Sequence, residues 1–222
     1  DVKSKKLQPY FIIPDLEKWT QKEVGYIYRD EEKRIVKDIY SPPAILIKDG
    51  LTPEFKTVAA LLDKKGVFTD NVTSIKPITS DAQNYLGNIL VLLNSKFNAY
   101  WALQTASFVG IKQERSHDEE KFSLPFITIS NANTLSKKVI ALKKTYHQAK
   151  ANEILSNNPN LIEKEINALL ELIDNSVLNK INVTQEEETL IDYANNLVIP
   201  IQMRHKGYEK LLLSFKYKDK AL

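Results

Sequence analysis

"NYLGNILVLLNSKFNAYWALQTASFVG", residues 84–110, is the stretch on which the fold turns. Along it Leu86, Ile89, Leu90, Leu93, Phe97 and Trp101 recur at steps of three and four, the spacing of an apolar stripe on one face of an α-helix. This periodicity predicts a single long packed helix from Asn84 to Ala106. Two features are foreign to an ordinary core helix. Asn94, Ser95 and Lys96 sit inside the stripe, and the chain then runs into "GIKQERSHDEEKF" (110–122), a polar and charged segment, before "SLPFITI" (123–129) restores apolar character.

On the N-terminal side the pattern is that of strands. "LQPYFII" (7–13) and "VGYIY" (24–28) are rich in β-branched and aromatic side chains and are bounded by Pro14 and by the charged run "RDEEKR" (29–34). That run reads as a solvent-facing turn leading into a return strand, "RIVKDIY" (34–40). Pro42-Pro43 stops any helix and launches "AILIK" (44–48), a short apolar burst of the kind found in central strands, which Asp49-Gly50 then turns. "FKTVAALLDKKGVFTDNVTSIKPI" (55–78) predicts a strand, a turn at Lys64-Lys65-Gly66, and a second strand crossing Val67, Phe68, Val72 and Ile75.

C-terminal to the polar segment the character changes. "LSKKVIALKKTYHQAKANEIL" (135–155) and "LIEKEINALLELIDNSVLNKI" (161–181) have helical periodicity and are separated by the breaker Asn157-Asn158-Pro159-Asn160. Thr184 followed by Glu187 is a capping box for a third helix, and the basic tail "HKGYEKLLLSFKYKDKAL" (205–222) suits a last one. The expected fold class is α+β: a mixed sheet with a long packed helix in residues 1–130, then a helical region in 131–222 that packs on it or on another domain.

Composition narrows the function classes. A chain of 222 residues can bury one sizeable core, and 43% hydrophobic with 27% charged residues is ordinary for a globular protein. A net charge of +3 permits a polyanionic partner without demanding one. With no cysteine there is no disulfide framework and no thiolate nucleophile, which suits the cytoplasm. The three histidines, His117, His147 and His205, are far apart, so no histidine metal site is expected. No apolar run reaches the roughly 18 residues of a membrane span. The first residue is Asp1 rather than Met, which fits a piece of a longer chain.

Few motifs carry chemistry. Six glycines in all form no phosphate-binding loop of the Rossmann or P-loop type, and no serine sits in a nucleophile elbow. Asp15, Glu31 and Lys33 match the loose spacing of a metal-dependent nuclease, but Glu32 lies where such sites carry an apolar residue, and a solvated turn accounts for the run better. The segment around Lys112, Gln113, Glu114, Arg115, Ser116 and His117 is the better candidate. Arg and Lys can pair with guanine, Gln with adenine and Glu with cytosine, provided a rigid element holds the loop; a plain solvated loop is the alternative reading. Lys48, closing "AILIK", either reaches a phosphate or marks the exit of the strand into water. Tyr100 and Trp101 fit core aromatics better than base-stacking platforms.

The order of these pieces carries a resemblance. "PPAILIKDG", "VFTDNVTSIKPI", the helix with Leu93-Asn94-Ser95-Lys96, a polar insert and a closing Leu124-Pro125 resemble, over residues 40–200, the C-terminal specificity region of adenine-specific DNA methyltransferases. The nearest likeness is to type IIG restriction-modification enzymes. Pro43, Ile45, Leu46, Ile47 and Lys48 match the family's first strand. The resemblance implies a target-recognition domain that binds double-stranded DNA beside the catalytic methyltransferase domain of the same parent chain. The chain itself would be non-catalytic, Lys48 and residues 112–117 would contact DNA, and S-adenosylmethionine would belong to the parent enzyme. The catalytic Asn-Pro-Pro-Tyr type motif and the cofactor loop of the family are missing here. The remaining readings are a helical protein-interaction module, with Ile166, Leu169, Leu170 and Ile173 facing a partner, and the nuclease of Asp15, Glu31 and Lys33.

Overall fold

The computed structural model describes residues 7–13, 15–22, 25–30, 38–51, 56–68, 71–105, 119, 122–151 and 158–202. Its class is α+β. Among the described residues eight strands come first: β1 (Leu7–Ile13), β2 (Asp15–Glu17), β3 (Thr20–Lys22), β4 (Tyr26–Asp30), β5 (Ala44–Lys48), β6 (Ala59–Leu62), β7 (Gly66–Phe68) and β8 (Val72–Ile75). Helices follow: α1 (Leu86–Asn94), α2 (Lys96–Thr105), α3 (Ala132–Ala151), α4 (Pro159–Ile181), α5 (Gln185–Tyr193) and a short α6 (Ile199–Gln202).

Among the described residues the strands form three small sheets rather than one. β5 is central in the order β6-β5-β8, antiparallel to both neighbours, and its residues Ala44 to Ile47 are all fully buried, as the unbroken apolar run "AILI" requires. A second sheet has the order β4-β1-β7, and β2 pairs with β3. The turn at Lys64–Gly66 therefore does not close a hairpin. β7 leaves β6 and pairs in parallel with β1, opposing Phe11 with Gly66 and Ile13 with Phe68. Gly66 makes this crossing possible, since a Cβ there would run into the Ile13 side chain and lie 3.2 Å from Leu62 Cδ1. The segment expected as a return strand ends instead in a 3₁₀ turn, Asp38–Tyr40.

The long helix expected over 84–106 is two helices. A 3₁₀ turn, Asp81–Tyr85, leads into α1, which stops at Ser95, whose φ of −74° and ψ of 160° are extended. The next helix starts at once. The physical reason lies in Asn94 and Ser95, whose side chains take up backbone groups that a continuous helix would satisfy internally.

α3 packs against both α4 and α1. Asn158 accepts from the Asn160 amide as the N-cap of α4 with Pro159 in the first turn, and Asn182, at φ 58°, ends it in the left-handed conformation. The box between Thr184 and Glu187 opens α5. One principal core joins sheet and helices: Trp19, Ile45 and Ile47 pack with Leu90, Val91, Leu93 and Phe97 and with Val139, Ile173, Val177 and Ile191. Ile173 is buried in this interior, Leu169 and Leu170 pack against it, and Ile166 is buried as well, so most of the apolar face read as partner-facing covers the protein's own core. Gly87 permits the close crossing of α1 over α3, for a Cβ there would stand 2.8 Å from Asn133 Cα. Among the described residues no helix is long and apolar enough to cross a membrane.

Candidate functional site

Asn94, Ser95 and Lys96 form the joint between the sheet and the helical region. Asn94 is 6% exposed and works as a surrogate strand. Its Oδ1 accepts from the Ala59 amide at 3.3 Å, and its Nδ2 donates to the Ala59 carbonyl at 3.0 Å and to the Leu90 carbonyl at 3.0 Å. Ala59 belongs to β6, and its backbone groups on this side face away from β5, so the carboxamide supplies what a neighbouring strand would. Ser95 Oγ donates to the Leu92 carbonyl at 2.7 Å and accepts from the Asn98 amide at 3.2 Å, capping α2. Asn98 in turn donates to Thr57 Oγ1 at 2.8 Å.

Lys96 faces the opposite way, into the C-terminal helices. Its amide donates to Asp174 of α4 at 2.7 Å, its ammonium meets Asp192 of α5 at 2.8 Å, and its carbonyl accepts from Asn195 at 3.2 Å. Asn195 sits in the π-helical turn Ala194–Val198 that follows α5. Burial pushes the Asp174 carboxyl above the usual carboxylate range, against the lowering effect of the Lys96 amide and of the charges of Lys18, Lys96 and Lys56. The start of α2 is thereby fixed from both layers at once.

The far end of α2 leads into the polar segment. Residues 106–118, 120 and 121 lie outside the described residues, and with them Lys112, Gln113, Glu114, Arg115, Ser116 and His117. What is visible is how the segment is entered and left. Trp101 Nε1, one turn before the end of α2, donates to Ser123 Oγ at 3.1 Å, so the chain departs and returns at adjoining points. Past Ser123 the chain runs along α1, where Asn88 Nδ2 donates to the Ile127 carbonyl at 2.6 Å and Asn88 Oδ1 accepts from the Ile129 amide at 2.7 Å. Asn88 and Asn94 thus hold extended backbone on two sides of one helix. Both Tyr100 and Trp101 are half-buried against the core, and Trp101 also packs on Phe97 with ring centroids 5.9 Å apart. The exposed aromatics here are Phe122 and Phe126, beside an apolar cleft of about 450 Å³ between β8, α1 and the returning chain.

Lys48 ends β5 half-buried, opposite Val72, with its amide bonded to the Val58 carbonyl at 3.0 Å. It shares an end of the sheet with Lys56, two residues before Val58. Asp15 lies on β2, while Glu31 and Lys33 of the nuclease pattern fall outside the described residues. Among the described residues no group of three or more His, Asp or Glu side chains could hold a metal ion. His147 on α3 is exposed, with Nε2 3.1 Å from Glu17 Oε2.

One cluster escaped the sequence reading. Lys18, Lys56 and Lys96 come from three separate segments to line, with Trp19, Asn94, Leu170, Ile173 and Asp174, a cavity of about 140 Å³ under the start of α2. They are dispersed in sequence among 31 basic residues, and no local spacing singles them out. No family model and no curated protein matches this chain.

Proposed function

We propose that the chain is a DNA target-recognition domain of an adenine-specific DNA methyltransferase of the restriction-modification type, acting in the cytoplasm beside a catalytic domain that binds S-adenosylmethionine. The observation that carries the reading is the fixed base of the polar segment. The bond between Trp101 and Ser123 holds its two ends together, and the joint at Asn94–Lys96 anchors the helix that delivers it. Base readout needs side chains presented from a rigid support, because each donor must sit within hydrogen-bonding distance of one base edge. Gln113 and Arg115 read bases in this proposal; Glu114, Ser116 and His117 line the same contact, and Lys48 and Lys112 neutralise phosphates.

Fluorescence anisotropy with a panel of duplexes tests it. The chain should bind duplex DNA with affinity that falls as salt rises, and Arg115→Ala should cost roughly 1–3 kcal/mol of discrimination between cognate and non-cognate sites. Binding that is absent at low salt, or identical in the variant across all duplexes, refutes the assignment.

A second reading has one observation in its favour. The outer groove between α3 and α4, about 520 Å³ and lined by Ala141, Leu142, Ala168, Leu169 and Leu172 between Lys138 and Glu165, leaves Leu172 half exposed. Such a surface suits a protein partner, for which the catalytic domain is the occupant compatible with the first reading. Light-scattering mass with and without DNA separates a self-associating module from a DNA-binding monomer.

A further inference from the structure

We infer that the outer edge of β8, together with the apolar cleft beside it, is a docking site for an extended apolar segment of a partner protein, which joins the sheet as a further strand. β8 ends the sheet β6-β5-β8 on one side. The Asp49 amide donates to the Asn71 carbonyl at 2.9 Å, whereas the Lys48 amide donates the opposite way, to the Val58 carbonyl just before β6, at 3.0 Å. Bonded pairs alternate along an antiparallel ladder, so Thr73 and Ile75 turn their backbone groups to β5 while Val72 and Ser74 turn theirs outward. Among the described residues no strand pairs with that outer edge. β8 itself carries neither a charge nor a proline, the usual guards of a free edge; Lys76 and Pro77 come only after it.

The cleft of about 450 Å³ lies against this strand, on the face where Ile75 meets the principal core. Ile89, Leu92 and Leu93 of α1 line it, as do Phe122 and Phe126, each at least half exposed, and no charged side chain does. Its two hydroxyls are engaged already, Thr73 donating to Asp49 at 3.0 Å and Ser74 to the Ile39 carbonyl at 3.4 Å. The cleft therefore suits uncharged apolar groups, while the edge beside it offers N–H and C=O groups at strand spacing. A small apolar molecule answers only the first. An extended peptide answers both, because its residues opposite Thr73 and Ile75 share their face and enter the cleft while its backbone pairs with Val72 and Ser74. The segment that fits has apolar side chains at alternate positions and no charge in the paired stretch.

This inference does not rest on the DNA reading, and its test uses no DNA. The full chain is titrated with dye-labelled, blocked peptides Lys-Thr-X-Thr-X-Thr-Lys, where X is valine, leucine or phenylalanine, and serine as the control. Anisotropy should saturate for an apolar X at or below about 1 mM and not for serine. On binding, hydrogen exchange should slow at the Val72 and Ser74 amides and stay as it was at Thr73 and Ile75, which β5 already holds. A peptide N-methylated at its threonines keeps every side chain and leaves the protein untouched, and it should bind at least about tenfold more weakly. Phe126→Ser alters a side chain that is 57% exposed, so the fold survives, and it should weaken binding by about the same factor. Absence of saturation with every X, equal binding of the serine or N-methylated peptide, or protection that spares Val72 and Ser74 overturns the site. So does slow exchange at those two amides without peptide, together with a doubled mass in light scattering, which assigns the edge to a second copy of the chain. Arg115→Ala should leave every one of these readouts unaltered, so failure of base reading and failure of this site are separately visible.

Discussion

Replacing Asn94 by alanine removes the one side chain that completes the inner edge of β6. The Ala59 amide, on a residue with no exposed surface, then has no acceptor, while the Ala59 carbonyl keeps its bond from the Trp19 amide. An orphaned buried amide costs about 1–3 kcal/mol, and loss of the second bond about 1 kcal/mol. The emptied space adds a further cost of order 1 kcal/mol, because Asn94 is walled by the core. We expect about 3–5 kcal/mol in urea unfolding, with the midpoint shifted and the slope unchanged. In a chain of this size that corresponds to a melting temperature lower by about 6–20 °C. Asn94→Asp is the companion experiment. It keeps the acceptor for Ala59 but sets an oxygen against the carbonyls of Ala59 and Leu90, so it should be at least as damaging. A loss below about 1 kcal/mol for alanine, or aspartate behaving like wild type, would refute the view that this carboxamide serves as a strand substitute.

Three further outcomes are expected. Gly87→Ala should destabilise by about 1–3 kcal/mol despite alanine's better helix propensity, because its Cβ meets the Asn133 backbone, which cannot rotate away; a stabilised variant in thermal melts would contradict the close crossing. Thr184→Ala should cost about 1 kcal/mol by removing the box at the start of α5, as read from urea midpoints. Asp174 carries a folded-state pKa above its ordinary 3.8, so the native state holds the extra proton in the window above that value. Its contribution is therefore favourable at the acid end and is lost as pH rises through the raised value. Asp174→Asn should flatten that part of the stability-pH curve and raise stability at neutral pH; a curve that keeps its slope would assign the titration to another group.

The helical half was legible because its signals are local. Periodicity, the breaker at Asn157-Asn158-Pro159-Asn160 and the Thr184–Glu187 box each depend on residues within one or two turns, and a helix forms in each of the three places, the first over Ala132–Ala151 against the expected 135–155, whose last four residues lie outside the described ones. The buried run "AILIK" was equally plain, since four consecutive apolar residues admit a central strand and little else. Strand partners were not legible. β7 joins β1, far away in sequence, and the feature that permits it is the absence of a side chain at Gly66, which a one-dimensional pattern records as a turn. The break at Ser95 was signalled by its polar residues, but their partners Ala59, Asp174 and Asp192 lie 35, 78 and 96 positions away. The same reason hid the lysine cluster around Asp174, for a charge gathered from three distant segments leaves no mark on any one of them.

The tie between Trp101 and Ser123 has a bearing on how such a chain can change over time. Both anchoring groups lie outside the stretch they bracket, and Asn88 secures the outgoing backbone independently. Closure of a longer stretch between fixed points costs only about 0.6 kcal/mol per doubling of its length. New sequences can therefore be spliced between residues 106 and 121 at small thermodynamic expense, without redesign of the scaffold on either side.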